Sequence, residues 1–516
     1  DGAVTPAVAN FVGREFPPDA FDELGEVARR RFFQILGASA ALAGASSCRW
    51  EREEILAHKI RPEETIPGKP KHYASVMDLA GFAKPLKVTS YDGRPVKVEP
   101  NLLVGRGSDV YSQGEVLGFY DPDRSSGALQ RVSNGFRQVS NDDVLAAPQA
   151  KASEGGLAVL ASTNGSPTLA RLGEELARTG AKWVWWSPVD RDSVVDGTRL
   201  AFGRPVRAHY DLENADIVVS LDSDFLAEHP DAHKMGAGFG LRREPERGSM
   251  SRLYSIESRF TTCGVVSAHR LPVRSSDVGA VLELIEAELG RGTPGKRAVE
   301  LKANEKLVAF VTALADDLRQ ANGRVVVIPG HGQPAEVHAR AHGLNAALGA
   351  IGTTVRYTDE PLASARTAEL AGLLADMRSG AVKTLLVLGG NPAYDAPADL
   401  KFAAAAKNVT LFHHGLYRDE TAEVADWHLP ATHWLEAWGA SRSWDGTHHI
   451  AQPLIKPIAN GLSAVALVAR LAGRDGDGRD GDGRAETRAT FDALGVAGDG
   501  EARYRQSLHD GLVDGS

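Results

Sequence analysis

Two blocks in the second half of the chain constrain its fold most tightly: 383–400, KTLLVLGGNPAYDAPADL, and 418–439, RDETAEVADWHLPATHWLEAWG. Thr384–Leu388 is a short apolar run that breaks at Gly389-Gly390-Asn391-Pro392, which predicts a buried parallel strand ending in a glycine turn. In an open α/β sheet the carboxyl ends of the strands face a crevice, and a glycine there lets backbone amides approach a phosphate. Gly389, Gly390 and Asn391 are therefore candidate pocket residues.

The same reading extends along the chain. Residues 155–161 form a strand signal, 167–178 an amphipathic helix and 182–187 (KWVWWS) a second apolar strand, so a βαβ unit opens a parallel sheet. Its three tryptophans are expected to pack core and interface. Strand signals at 214–225 (NADIVVSLDSDF) and 324–330 (RVVVIPG), then a helix over 335–348, continue the pattern. The fold class is α/β with doubly wound parallel sheets. Upstream, 87–90 and 95–99 flank Tyr91-Asp92-Gly93-Arg94, a hairpin signal that marks a small N-terminal β-rich domain. Five segments are expected: a signal-like segment and extended connector at 1–71, the small β domain at 72–150, α/β domains at 151–300 and 301–470, and a flexible loop plus C-terminal helix at 471–516. Within the last, 474–484 (RDGDGRDGDGR) reads as a loop and 501–511 as a short helix.

The second block places Asp419-Glu420-Thr421-Ala422, Ala425-Asp426, Leu429-Pro430-Ala431-Thr432, Leu435-Glu436 and Gly439 at fixed spacing. With the glycine turn, this pattern closely resembles the molybdopterin oxidoreductase family. The resemblance implies that family's multidomain fold, in which the first block contacts one guanine dinucleotide of the molybdenum cofactor and the second runs beneath it.

Several departures accompany the resemblance. The family's small β domain carries an iron–sulfur cluster on three cysteines before the hairpin and a fourth in a Cys-x-x-Gly context. Here 73–82 (YASVMDLAGF) holds none, and Tyr111-Ser112-Gln113-Gly114 stands at the fourth position. Tyr120-Asp121-Pro122-Asp123-Arg124 nevertheless keeps the family's Y-x-P-x-R ending. The 214–225 strand ends in Asp222-Ser223-Asp224, where cofactor-binding members have Gly-Ser-Asn. A carboxylate facing a pyrophosphate is repelled, by on the order of 1 kcal/mol or more per close pair, and losing the glycine blocks close approach. Asp222, Ser223 and Asp224, with Gly389, Gly390 and Asn391, are expected to be vestigial pocket turns, the aspartates capping the following helix rather than holding a cation. No molybdenum ligand is identifiable, and the family's closing β-barrel has no counterpart in the sequence.

Composition narrows the partners. A net charge of −9 with no sustained basic face argues against nucleic acid. Only Cys48 and Cys263 occur, so the chain cannot supply the four thiolates a cluster normally needs; whether these two pair is left open. Arg29-Arg30-Arg31-Phe32-Phe33-Gln34 precedes a charge-free run ending near Cys48, which resembles a twin-arginine export signal. Lipidation at Cys48 is an open alternative. His338 and His342 lie i, i+4 on one helix face, a metal-ligand spacing. They lack acidic or thiol partners, and His331, His413-His414 and His448-His449 are equally unsupported. No catalytic residue is assigned.

These departures match a subgroup that resembles the family in fold: the cofactor-free half of the large exported subunit of alternative complex III, a bacterial quinol oxidoreductase. The match rests on the twin-arginine start, Glu63-Glu64-x-Ile66-Pro67-Gly68-Lys69-Pro70, 221–225 and Trp434-Leu435-Glu436-Ala437-Trp438-Gly439. It implies a scaffold with no cofactor of its own on the periplasmic face of the membrane. Its expected partners are a ferredoxin-like iron–sulfur half or subunit, a multihaem cytochrome c and integral membrane quinol-binding subunits, which carry the clusters and haems. The chain is then a fragment or a separately encoded half. Two alternatives stand: a catalytic molybdenum or tungsten bis-pterin subunit lacking a cluster, and an α/β protein binding a nucleotide at Gly389-Gly390.

Overall fold

Short apolar runs bounded by glycine and proline become the strands. The computed structural model describes residues 66–516 apart from 67, 106, 145, 147–154, 249 and 475–479, so the export-signal reading at 29–48 and Cys48 lie outside the described residues. Contacts divide the chain into Asp1–Ile66 and Pro67–Ser516, and every element below belongs to the second unit.

In chain order the strands are Lys71–Leu79 (β1), Phe82–Tyr91 (β2), Arg94–Pro100 (β3), Ala128–Val132 (β4), Gly135–Val139 (β5), Leu157–Ser162 (β6), Lys182–Trp186 (β7), Val206–Tyr210 (β8), Ile217–Leu221 (β9), Arg252–Glu257 (β10), His269–Pro272 (β11), Val325–Pro329 (β12), Val355–Asp359 (β13), Thr384–Leu388 (β14), Thr410–Gly415 (β15), Trp427–Pro430 (β16), Gly439–Arg442 (β17) and His448–Ala451 (β18). Seven form one sheet in the order β5-β4-β16-β15-β14-β6-β7. Its five strands from β16 to β7 are parallel, and the β4–β5 hairpin closes one edge antiparallel. A second sheet, β11-β10-β9-β12, is parallel throughout. Every residue of β9, β12 and β14 is buried, because parallel strands covered on both faces need a continuous apolar run.

The two sheets are interleaved in sequence. Residues 151–300 supply β6 and β7 to the first and β9 to β11 to the second, while 301–470 supply β12 to the second and β14 to β16 to the first. A boundary at 300 therefore does not separate the sheets. Strand partnership is settled by long-range pairing, which local signals do not encode.

Helices cover the sheets where apolar residues recur at helical spacing. Pro167–Arg178 buries Leu169, Leu172 and Leu176, starts with proline in its first turn and is capped by the Ser166 hydroxyl, which accepts from Leu169 N at 3.2 Å. Each leucine contributes roughly 2 kcal/mol of burial. Beyond it, β7 leaves Trp183 and Trp185 partly buried edge to face at 5.2 Å, while Trp186 is buried. On Ala335–Ala347, buried Asn345 donates to Val327 O and accepts from Val327 N, both at 2.9 Å, satisfying the outer edge of β12.

The hairpin at Asp92-Gly93 forms as expected, with both residues at positive φ, +48° and +83°. It gains a third strand, because 71–79 is β1, paired in full with β2. One difference concerns the C-terminal part. The expected loop at 474–484 is helical from residue 480, within Asp480–Ala493. Tertiary contacts override weak glycine and aspartate propensities there: Glu486 accepts from Arg171 at 2.6 Å and Arg474 at 2.6 Å, and Phe491 packs on Tyr504. The second helix, Gly500–Asp510, lies where expected.

One buried ion pair fastens the small β domain to the C-terminal part. Arg124 donates to Glu436 through Nη2 at 2.7 Å and Nη1 at 3.3 Å, and also to Phe119 O at 2.9 Å. Glu436 is fully buried and accepts further from His433 N and Ile458 N, each at 2.8 Å. Removing one partner strands a buried charge. Arg124→Met or Glu436→Leu alone is expected to lower the unfolding free energy by about 3–5 kcal/mol, and the double substitution by less than either. Urea denaturation of the three variants checks this.

Candidate functional site

Both expected pocket turns sit at carboxyl ends of parallel strands, one on each sheet. The turn after β14 needs glycine for its backbone. Gly389 and Gly390 have φ of +71° and +77°, a region costly for residues with a Cβ. Space alone would not demand it, since a Cβ on Gly390 would lie 3.4 Å from Ser162 Oγ.

Asn391 joins this turn to the second sequence block. Its Oδ1 accepts from Thr421 N at 3.1 Å and Thr421 Oγ1 at 2.8 Å, and its Nδ2 donates to Glu420 at 2.6 Å. Thr421 Oγ1 in turn accepts from Ala393 N at 3.0 Å, and Asp419 caps the Glu420–Val424 helix by accepting from Ala422 N at 2.9 Å. The two blocks that stand out in the sequence are thus one hydrogen-bonded unit. Asn391 is spent on holding it together.

The turn after β9 is closed from within. Asp222 takes φ of +54°, a left-handed conformation in the position expected of glycine. Its Oδ1 accepts from Ser258 N at 2.9 Å and Ser258 Oγ at 3.1 Å; its Oδ2 accepts from Ser275 Oγ at 2.5 Å and Gln333 Nε2 at 3.1 Å. Burial works against the charge, but these bonds outweigh it and hold the Asp222 carboxyl below its ordinary value of 3.8. The donors come from loops after β10, β11 and β12, so a four-donor anion cradle is assembled and filled by the protein's own carboxylate. Ser258, Ser275 and Gln333 carry no motif signal. Only their shared position after parallel strands points to them.

Ser223 is buried and exchanges bonds with Ser220, whose Oγ donates to Ser223 O at 2.7 Å and accepts from Ser223 N at 3.2 Å. Asp224 does cap a helix, though not the following one. Its carboxylate accepts from Thr262 N and Cys263 N, both at 3.1 Å, at the start of Thr262–Val266 beyond the next strand. Parallel strands bring these loops side by side, and the nearer amides are those of the neighbouring crossover. Cys263 is buried, and burial raises its thiol pKa.

His338, His342, His413, His414 and His449 are buried, whereas His448 is partly buried and His331 is exposed. His413 and His428 stack with centroids at 5.1 Å and share an Nδ1–Nδ1 hydrogen bond of 3.0 Å, while His428 Nε2 reaches Ser125 Oγ at 2.7 Å. Burial pushes them down to about 3 and about 4, so both are neutral. His414 Nε2 donates to Leu462 O at 2.8 Å, and His449 Nδ1 to Gly511 O at 2.8 Å. Among the described residues no group of three or more His, Cys, Asp or Glu side chains is arranged to hold a metal ion. No described helix is long and apolar enough to cross a membrane.

No protein-family model matches the sequence, and no curated protein does. Solved structures do match the fold. One is acetylene hydratase from Pelobacter acetylenicus, at 12% identity and a TM-score of 0.56, the alignment covering 78% of this chain and 69% of that one. The chain, with its parallel α/β sheets and small antiparallel N-terminal sheet, thus shares the fold of that structure.

Proposed function

We propose that this chain is a structural subunit of a membrane-associated quinol oxidoreductase of the alternative complex III type, a molybdopterin-type scaffold without a cofactor of its own. It is exported to the periplasmic face by the twin-arginine route. There it packs against a ferredoxin-like iron–sulfur half, a multihaem cytochrome c and membrane quinol-binding subunits, holding their redox centres in register.

The observation that carries this reading is the self-filled cradle at Asp222. The fold implies a pterin dinucleotide, and at this turn the residues do not fit one. Four donors that would meet a phosphate are committed to Asp222, and the carboxylate repels a second anion. The competing reading, a cluster-free molybdenum or tungsten catalytic subunit, is favoured by the glycine turn after β14, which keeps its positive-φ backbone.

Metal analysis of the purified complex separates the two. The expected result is molybdenum and tungsten far below one atom per chain, with no saturable guanine nucleotide binding by calorimetry. Either metal in proportion to the chain overturns the proposal.

A second expectation concerns Asp222 itself. Asp222→Asn is expected to cost about 1–3 kcal/mol at neutral pH, since charge-assisted bonds become neutral ones. The folded-state pKa is depressed, so the wild-type advantage is present above 3.8 and lost as pH falls from there through the lower folded value. Urea denaturation across that range reads it. A gap undiminished by acid would contradict the assigned role.

A further inference from the structure

The helix Val110–Phe119 is apolar on the side that faces out. At 3.6 residues per turn, Val110, Gly114 and Leu117 fall within about 60° of one another, opposite Ser112 and Phe119. The inner side packs as expected: Phe119 is buried with Met77, Leu86, Val88, Val98 and Leu435, and Tyr120 Oη donates to Pro95 O at 2.9 Å. A surface helix keeps polar residues on its other side. Here Val110 is 75% exposed, Tyr111 68% and Leu117 76%, and Leu102 and Leu103, in the turn before the helix, are 75% and 71% exposed. Single exposed leucines need no explanation, but five large apolar side chains in one short stretch mark a contact surface.

Charge does little to relieve this. Glu115 accepts from or meets His433 Nε2 at 3.0 Å, and Asp109 caps the helix by accepting from Ser112 N at 2.7 Å. Over 101–123 the sequence holds four acids, Asp109, Glu115, Asp121 and Asp123, against one base, Arg106. Asp121 and the exposed Asp123 follow the end of the helix, so an electrostatically matched partner brings a cation to that end.

The shape of the face selects further. A Cβ on Gly114 would meet nothing within 4 Å. With Val110 and Leu117 on either side, this glycine is a notch that admits the side-chain ridge of another helix. An anionic lipid surface is repelled by the same acids. A second copy of the chain would set acid against acid. The helix is also only about 15 Å long and about 10 Å across, so its face offers a few hundred Å², short of the roughly 800 Å² per partner of a stable pair. As one contact within a larger assembly, that area suffices.

We infer that the outward side of Val110–Phe119 is the docking face for an apolar α-helix of another subunit, seated across Gly114 and carrying Lys or Arg at the end beside Asp121 and Asp123. The inference rests on the reading of this chain as a subunit of a larger complex, and adds which surface it uses.

Photocrosslinking in the purified complex tests it, with p-benzoylphenylalanine in place of Leu117. The expected result is a crosslink, mapped by mass spectrometry to a helix of a co-purifying subunit that has Lys or Arg at one end. Gly114→Leu, which fills the notch and favours the helix itself, is expected to cut recovery of that subunit with the tagged chain at least tenfold, and Asp123→Lys several-fold. The melting temperature of each released chain is expected not to fall. A crosslink to a second copy, to lipid or to another part of the same chain overturns the inference, as does recovery of the partner at the natural level with folded Gly114→Leu and Asp123→Lys. Haem and iron content of the same preparation judges the subunit reading separately. A haem-bearing complex in which position 117 finds no partner leaves that reading standing and removes the docking face; a partner helix crosslinked in a complex without haem or iron does the reverse. A chain recovered without any partner removes both.

Discussion

The architecture depends on a buried charge pair. Arg124 closes the small β domain and Glu436 sits in the second conspicuous block, 312 residues further along; the carboxylate is fully buried and accepts four hydrogen bonds. Desolvating both charges is expensive, and full hydrogen bonding is what offsets it. The pair consequently fixes one geometry: the helix Val110–Phe119, whose last carbonyl-bearing residue Phe119 also binds Arg124, can dock in a single way. Asp78 of β1 does the same on another flank, accepting from Gly165 N and Ser441 Oγ at 2.7 Å and Gly81 N at 2.9 Å. Polar locks of this kind specify arrangement, while the apolar sheets supply most of the stability.

On that frame the two crevice-facing turns have diverged. After β14 the glycines keep the backbone open, and Asn391 ties the turn to Glu420 and Thr421. After β9 an aspartate accepts the left-handed backbone a glycine would favour, and in exchange its carboxylate satisfies four donors from three loops. The second solution makes the crevice wall self-sufficient. An anion built into the chain is always at full effective concentration, so a diffusing one must displace it before it can bind. Farther in, Arg191 and Arg207 both stack on Trp444 and Phe82, and Glu360 faces them as their shared counter-charge.

Much of this was legible in the residues. The buried runs at Ile217–Leu221, Val325–Pro329 and Thr384–Leu388 are strands, the Pro167–Arg178 helix begins and ends at its proline and arginine, and Asp92-Gly93 makes its turn. These features are local, set by period and by the backbone preferences of single residues. Missed were β1, whose sequence lacks clean alternation, and the helix from Asp480, where glycine and aspartate suggest a loop but packing of Glu486 and Phe491 prevails. The Asp222 cradle escaped notice because Ser258, Ser275 and Gln333 are ordinary polar residues until three crossovers bring them together.

The sequence by itself determined the α/β class, the identity of most strands, the two blocks around residues 390 and 420, and the presence of carboxylates where glycine and asparagine were expected. Tertiary structure decided which strands share a sheet, that Asp222 binds the neighbouring loops while Asp224 caps a helix beyond the next strand, and that Glu360 is held in a fork by Arg207. The reason is range. Periodicity and turn chemistry act over a few residues, whereas charge pairing and hydrogen-bond satisfaction in a low-dielectric interior depend on which distant segments are packed together.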